Sequence, residues 1–319
     1  YVSGAVGRAF TNFWENKDGV RSQFSNAFAE LATRFRGRPY VLGYDTWNEP
    51  FCEVSIPDCG GFNPKPGASA RWLQPFYAEL IPKLAAADPT HPAFYEEFTQ
   101  VNLGYPFHIG YGAGPWPFPD TTGLSYHVYC SLALRSDADC SRQEPDAIQG
   151  AVAAAKHNKV AAISTEFGAS DDLKALARTL DLFDRYGQSW QYWQYKAYDD
   201  PTTIANSAGG LDSQSVVDVK GKPKLAKLKL LARARPDRIA GTDASWRFSP
   251  RTGKFTLSYK PTIDAETTVS LPLSIHYPNG YKTKVVGGRV VSKSGRALVR
   301  IARAGAAVGR VSISVTPRT

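Results

Sequence analysis

Short apolar runs alternate with longer amphipathic segments over the first 235 residues, and this alternation predicts parallel strands joined by helices. The strand-like runs begin near residues 41, 93, 124, 160 and 189. Helices are predicted at about 18–35, 69–87, 144–158, 171–186 (opening on Ser170 as its N-cap) and 223–235. Five such units fit either an open doubly wound sheet or the last five units of an eight-stranded barrel.

After about residue 240 the pattern changes to strict alternation of apolar and polar residues. Phe255–Tyr259 and Val311–Val315 both show it, and turn signals such as Asn279-Gly280 separate the segments. This texture predicts a small antiparallel β-sandwich. We therefore expect a β/α domain over residues 1–238 and a β-sandwich domain over residues 239–319.

The charge is divided between these two regions. Residues 1–219 carry 17 basic and 25 acidic side chains, whereas residues 220–319 carry 21 basic and 4 acidic ones. A strongly basic module suggests an anionic partner, either nucleic acid or lipid headgroups, although the charge could equally serve solubility. Aromatic residues are not interleaved with the basic ones as in a nucleic-acid stacking platform, so a nucleic-acid partner is not expected.

The four cysteines form two close pairs in the sequence, Cys52/Cys59 and Cys130/Cys140. Each pair would close a short loop, which predicts two local disulfides and a secreted or cell-surface protein. Neither pair has the spacing of a zinc site, and no phosphate-binding glycine motif follows a strand, so neither a metal nor a cofactor is expected.

Two glutamates stand at the carboxyl ends of predicted strands. Glu49 follows the first strand and Glu166 ends the fourth, 117 residues later. In a β/α barrel these ends meet at one mouth, where two carboxyl groups on either side of a cleft suit glycosidic cleavage.

These motifs resemble a known family. Asn48-Glu49-Pro50, His127-Val128-Tyr129, Glu166-Phe167-Gly168 and Trp193 are similar to the strand-end motifs of family-5 glycoside hydrolases of clan A. The resemblance implies a (β/α)8 TIM barrel, a retaining mechanism and no cofactor. It further implies that this chain holds barrel strands four to eight, with the first three supplied by upstream sequence or by a second chain, or missing altogether.

The same resemblance implies roles for individual residues. Glu49 would be the acid/base and Glu166 the nucleophile. The residues expected to contact the sugar or to tune the nucleophile are Asn48, His127, Tyr129 and Trp193.

A finer similarity is to the endoglycoceramidase branch. It is carried by Arg8–Trp14, Val41–Pro50, Ser125–Cys130 and Tyr192–Tyr195, and by His276–Tyr281 in the sandwich. These enzymes release an intact oligosaccharide from the ceramide of glycosphingolipids. The resemblance thus implies a glycosphingolipid substrate, and with the basic module it suggests peripheral contact with an anionic membrane surface.

Several alternatives stay open from the sequence. A family-5 β-glucosidase acting on glucosylceramide or steryl glucosides would share the barrel motifs, and a non-catalytic carbohydrate-binding protein would share the fold. Either Glu96 or Glu97 could face the mouth, and we take Glu97 as the substrate-binding candidate. The aromatic loop with Phe107, Trp116 and Phe118 could form an apolar rim for lipid tails or pack as core.

Overall fold

The computed structural model describes residues 3–53, 55–59, 63–111, 115–129, 137–196 and 213–318. The chain forms two compact units. One is built from residues up to 167 together with 188–192, and the other from residues 168–187 and from 193 onward. The domain boundary expected at residue 238 stays a prediction.

The first unit is organised by a five-stranded sheet whose strands follow one another in chain order. The strands are β1 (Tyr44–Asp45), β2 (Ala93–Glu96), β3 (Thr122–Val128), β4 (Ala161–Gly168) and β5 (Ser189–Trp193). The β1–β2, β2–β3 and β3–β4 pairs are parallel. Every residue of β3 is buried, as in a parallel sheet covered on both faces. The predicted fold of the last five units of a β/α barrel is confirmed.

The described residues contain eight α-helices. They are α1 (Gly4–Trp14), α2 (Val20–Phe35), α3 (Pro66–Ala68), α4 (Gln74–Ala87), α5 (Asp137–Asn158), α6 (Leu173–Tyr186), α7 (Leu225–Leu231) and α8 (Leu273–His276). A π-helical segment, Ser69–Leu73, joins α3 to α4. None of the described helices is long and apolar enough to cross a membrane.

Two four-stranded antiparallel sheets form the predicted sandwich in the second unit. Their strand orders are β10-β13-β8-β7 and β11-β12-β9-β6. The strands are β6 (Arg235–Arg238), β7 (Gly241–Phe248), β8 (Phe255–Pro261), β9 (Thr267–Ser270), β10 (Tyr281–Val286), β11 (Gly288–Val290), β12 (Leu298–Arg303) and β13 (Val311–Pro317). Side chains from both sheets meet in one apolar core, with Phe255 and Leu257 on one side and Val299 and Ile301 on the other.

Local details depart from the sequence-based expectations in several places. The helix predicted at 144–158 begins at Asp137, and the helix predicted at 223–235 ends at Leu231, so that Arg235 begins a strand. Helix α1 was not predicted, and Ser3 caps it by accepting a hydrogen bond from the Val6 amide. Strand β1 is much shorter than the predicted run. The N-cap of α6 is Asp172, whose side chain accepts from the amides of Lys174 and Ala175, and Ser170 instead accepts from the Asp172 amide.

Candidate active site

Glu49 lies in the turn that follows β1 and has a left-handed backbone, with φ of 50°. This region is rarely adopted by residues other than glycine, so surrounding contacts must hold the turn. One such contact is from the Glu49 amide to Oε2 of Glu96, at the end of β2, over 2.9 Å. The Glu49 side chain remains about one-fifth exposed.

Glu166 lies near the end of β4, and a neighbouring strand supplies its hydroxyl partner. Tyr129, which directly follows β3, donates its hydroxyl to Oε2 of Glu166 over 2.5 Å. The Glu166 side chain is also about one-fifth exposed. The carboxylate is thus reachable from solvent while one of its oxygens is held by the phenol.

His127 brings the two glutamates together. A register irregularity between Tyr126 and His127 pairs His127 with Glu166 across β3 and β4. Its Nδ1 lies 2.9 Å from Oε1 of Glu49 and 3.5 Å from Oε2 of Glu166. One donor or acceptor atom from each of the three residues lies within 4.8 Å of the others. The two predicted strand-end glutamates therefore do converge on one site.

The ionisable side chains in this cluster shift one another's pKa values. Burial lowers the pKa of His127, but the negative charges of Glu96, Glu166 and Glu49 outweigh it and raise that pKa to about 9. Burial raises the pKa of Glu166, although the His127 charge and the Tyr129 hydrogen bond oppose the shift. Burial first, and then the Glu166 charge and hydrogen bond, raise the pKa of Tyr129, which therefore stays a hydrogen-bond donor at neutral pH.

The three atoms are spaced closely enough to share a cation. An imidazole with a raised pKa is protonated at neutral pH, and a protonated imidazole cannot ligate a metal ion. A metal ion would therefore have to displace this proton in order to bind here.

The two adjacent glutamates at the end of β2 have different surroundings. Both oxygens of Glu97 are occupied by protein donors, namely the Ser69 hydroxyl and the amides of Phe98, His108 and Ile109. The side chain is also buried. This geometry favours a structural role for Glu97. Glu96, which accepts a hydrogen bond from the Glu49 amide, is the glutamate that faces the site.

The remaining sugar-contact candidates lie near strand ends. Asn48 is exposed beside Glu49. Trp193 is the last residue of β5, and its indole N–H donates to Oε1 of Gln214 over 3.2 Å. Their contacts with a sugar remain predictions.

Trp116 is buried, with 6% of its surface exposed. Its indole N–H donates to the Thr122 hydroxyl, and its ring packs against Tyr95 with centroids 4.2 Å apart. Of the two alternatives left open by the sequence, Trp116 therefore packs as core and does not belong to an apolar rim.

Cys52 and Cys59 form the first predicted disulfide, with Cα atoms 5.5 Å apart. The bridge closes the segment that follows the Glu49 turn. Cys130 lies outside the described residues, so the Cys130–Cys140 bridge stays a prediction.

Two supporting contacts were not expected from the sequence. Asn102 accepts the His127 amide through Oδ1 over 3.0 Å, and Ser125 donates its hydroxyl to Asp45 over 2.8 Å. Asn102 lies in a short 3₁₀ helix, Thr99–Leu103, with no motif around it, so the sequence carried no signal for this contact. Asp45 lies on β1, shortly before the Asn48-Glu49 motif. Its position on a predicted strand was the available signal for its contact with Ser125.

Comparison with known proteins matches both units to one family. A family model described as cellulase (glycosyl hydrolase family 5) matches residues 9–199, more than half of the chain. A second, described as the glycoside hydrolase family 5 C-terminal domain, matches residues 233–315.

Individual relatives give the same result. An endoglycoceramidase of Hydra vulgaris is 28% identical and covers 89% of this chain and 52% of its own length. An endoglycoceramidase of Cyanea nozakii is 26% identical, covering 89% and 55%. The chain thus spans about half the length of these relatives. The solved ganglioside GM3 complex of endo-glycoceramidase II from Rhodococcus sp. has a TM-score of 0.76 at 21% identity, covering 100% of this chain and 69% of that one.

Proposed function

This chain belongs to glycosyl hydrolase family 5, and we propose that it carries the active site of a retaining glycosidase that releases the oligosaccharide of glycosphingolipids from ceramide. The observation that carries the proposal is the convergence of Glu49, His127 and Glu166 within 4.8 Å. The endoglycoceramidase names of its relatives support the substrate class.

The distance between the two glutamates supports the retaining route. Retaining enzymes hold their carboxyl groups about 5–5.5 Å apart, whereas inverting enzymes leave about 6.5–9.5 Å for a water molecule. Oxygens of Glu49 and Glu166 lie within 4.8 Å of each other, which fits the shorter spacing.

Each side chain then has a role in the reaction. Glu166 attacks the anomeric carbon while Glu49 donates its proton to the leaving ceramide oxygen, and a covalent glycosyl–enzyme forms. Glu49 next removes a proton from water, which attacks the same carbon and frees Glu166. The hydroxyl of Tyr129 orients Glu166 before the attack. The positive charge of His127 stabilises the Glu166 carboxylate before the attack and the Glu49 carboxylate once its proton has left.

The decisive experiment combines trapping with product analysis. A 2-deoxy-2-fluoro-β-lactoside with a good leaving group should label Glu166, as found by peptide mass spectrometry, and Glu166→Gln should not be labelled. Incubation with a ganglioside, a neutral globoside and a 6-galactosyl series lipid should yield intact oligosaccharide and ceramide. Release of monosaccharide would instead favour a β-glucosidase, and no release with no labelling would contradict the proposed activity.

We also propose that the sandwich contacts an anionic membrane surface through the outer face of the β10-β13-β8-β7 sheet. Lys284, Ser314, Thr256 and Arg247 form one cross-strand row on this face. Lys282 lies on the same face because side chains two positions apart on a strand point the same way. Lys282, Lys284 and Arg247 are all exposed, and basic residues near an anionic surface contribute about 1 kcal/mol each.

Vesicle binding with a matched pair of variants tests this surface. Replacing Arg247, Lys282 and Lys284 by glutamine should reduce binding to phosphatidylserine vesicles by roughly a hundredfold at low salt. The control replaces Arg289, Lys293 and Arg296 by glutamine, which removes the same charge from exposed positions elsewhere in the sandwich. Equal losses for both variants, or binding that is unchanged at 1 M salt, would contradict docking through this face.

Strand β1 suggests that the barrel is completed by further strands. Among the described strands β1 pairs with β2 alone, and Tyr40 and Leu42 just before it are highly exposed. An open parallel edge of this kind normally pairs with another strand. We propose that sequence upstream, or a second chain, supplies it. Native mass spectrometry of the active protein should detect a mass greater than that of this chain, either from a longer polypeptide or from a second one. Full activity of a species with the mass of this chain alone would contradict the proposal.

A secreted or cell-surface location is proposed as well, supported by the Cys52–Cys59 bridge. Thiol labelling of denatured, unreduced protein from its native source should find all four cysteines blocked. Free thiols at these positions would contradict both the location and the second bridge.

A further inference from the structure

The backbone of Glu49 has a strained conformation that a contact from another strand can stabilise. Its φ of 50° lies in the left-handed region, where an L side chain is strained. The direction in which the carboxyl group of Glu49 points depends on this conformation. Any contact that holds it also holds the proton donor against the leaving group.

Glu96 makes a contact of this kind. Its Oε2 accepts the Glu49 amide over 2.9 Å, and the side chain is fully buried. The other oxygen, Oε1, is buried and has no hydrogen-bond partner among the residues that the structure describes. Glu97 beside it differs, since both of its oxygens are hydrogen-bonded to residues away from Glu49.

The main chain of Glu96 is itself fixed by a buried side chain of α4. The hydroxyl of Tyr77 donates to the Glu96 carbonyl over 2.6 Å and accepts the Glu96 amide over 2.9 Å. Tyr77 is fully buried. A continuous series of contacts therefore runs from the interior helix through Glu96 to the backbone of Glu49.

We propose that Glu96 is a positioning residue for the reaction: it holds the left-handed backbone of Glu49 so that the Glu49 carboxyl faces His127 and the leaving oxygen. This inference rests on the proposed glycosidase function and adds a residue to it. Glu96 acts through Glu49 and does not need to touch the substrate.

The electrostatic surroundings of Glu96 are consistent with this role. It faces His127 from β3, Asp45 from β1 and Glu49 itself, while Tyr77 contacts its main chain. Burial raises the pKa of Glu96 to about 8, although the His127 charge opposes the shift. The hydrogen bond from the Glu49 amide also opposes this shift, as expected for an amide that donates to a carboxylate oxygen.

The test uses the dependence of rate on the leaving group, because proton donation matters most when the leaving group is poor. In the intact protein, kcat/KM, which reports the first step alone, is measured on aryl β-lactosides whose leaving groups range from 2,4-dinitrophenol to phenol. Glu96→Met keeps the volume but removes the acceptor. It should reduce kcat/KM roughly a hundredfold for phenol and change it little for dinitrophenol, since general-acid catalysis contributes about 10²–10⁴-fold.

Two further variants separate positioning from structural damage. Glu96→Gln keeps an oxygen acceptor and should restore the wild-type leaving-group dependence. Glu53→Ala truncates another buried carboxylate, which accepts from Thr11 and Ser55, and should leave that dependence unchanged even if it lowers stability. If Glu96→Met does not fold, Glu96→Asp, which withdraws the acceptor by one methylene group, takes its place.

The outcomes distinguish a failure of the proposed glycosidase function from a failure of the positioning role of Glu96. Wild-type protein that hydrolyses no aryl lactoside and no glycosphingolipid would overturn the proposed function and this inference with it. An active wild type in which Glu96→Met lowers kcat/KM equally for all leaving groups, or in which Glu96→Gln behaves like Glu96→Met, would overturn the inference alone.

Discussion

His127 in the parallel-sheet unit and His276 in the sandwich unit are both buried, and their surroundings shift their pKa values in opposite directions. The charges of Glu96, Glu166 and Glu49 raise the pKa of His127. Burial lowers the pKa of His276, whose Nε2 lies 2.9 Å from the Lys229 carbonyl and whose ring packs on Phe248. The site around His127 buries groups that carry charge, whereas His276 is buried against an aromatic ring in surroundings that favour its neutral form.

The difference shows where each unit uses its charged residues. The strand ends of the parallel sheet hold several ionisable groups out of water, which costs stability and shifts their pKa values into a range useful for proton transfer. The sandwich keeps its basic residues exposed, where their field acts on distant partners at little cost in stability. Changes to the two units should therefore be detected by different measurements.

The largest expected effect is on catalysis, at the buried charges. Glu166→Gln removes the nucleophile, and kcat should fall by roughly 10⁴-fold or more. Because burial raises the pKa of Glu166, its neutral replacement should leave the melting temperature unchanged or slightly raised. Activity assays beside thermal unfolding check both parts. A variant that loses activity by unfolding would contradict the contrast.

The next largest effect is on stability, in the sandwich core. Phe255 is fully buried there, so Phe255→Ala should lower the free energy of unfolding by about 3–5 kcal/mol. Urea unfolding measures the loss. Ser258→Ala on the outer side of the same strand is the control and should cost much less.

A smaller expected effect is the change in the free energy of unfolding with pH that His127 causes. Its pKa is about 9 in the folded protein and about 6.5 when unfolded, so the folded state holds the proton more tightly between these values. Its contribution is fully present below pH 6.5 and is lost as pH rises through 9. The free energy of unfolding should fall by about 2–3 kcal/mol over that range.

Urea unfolding from pH 6 to 9.5 measures this fall, and Glu49, Glu96, Glu166 and Asp45 are the charged groups that set it. His127→Gln should flatten the curve. An equally steep curve in that variant would assign the dependence to other residues.

The smallest expected effect is the contribution of His276 to the pH dependence of stability, which has the opposite sign to that of His127. Its pKa is lowered in the folded protein, so its contribution is present at neutral pH and is lost as pH falls below the unfolded value of about 6.5. A nuclear magnetic resonance titration of the two imidazoles would compare them directly. Shifts of both pKa values in the same direction would remove the contrast between the units.

Much of the fold and site was accessible from the sequence, for identifiable reasons. The strand order follows from alternating apolar runs, and the places of Glu49 and Glu166 follow from their position after strands. Sequence periodicity could not choose between Glu96 and Glu97, because neighbours on a strand point to opposite faces and the choice depends on the local twist.

Other features depend on contacts between distant parts of the chain. The burial of Trp116 comes from its packing against Tyr95 and its hydrogen bond to Thr122, and neither contact is visible in the surrounding glycine and proline residues. For the N-cap of α6, the sequence offers two suitable residues. Ser170 and Asp172 are both good N-caps, and only the first turn of the helix decides between them.

The π-helical segment Ser69–Leu73 has a consequence for how this gene can change. A π turn contains one residue more than an α-helical turn, so it corresponds to a single inserted codon. Losing one codon there would restore regular winding and rotate the preceding residues by about 100° around the helix axis. Ser69 would then turn away from Glu97, whose oxygen it now satisfies. Descendants of this sequence should accept substitutions in the segment more readily than they accept a deletion.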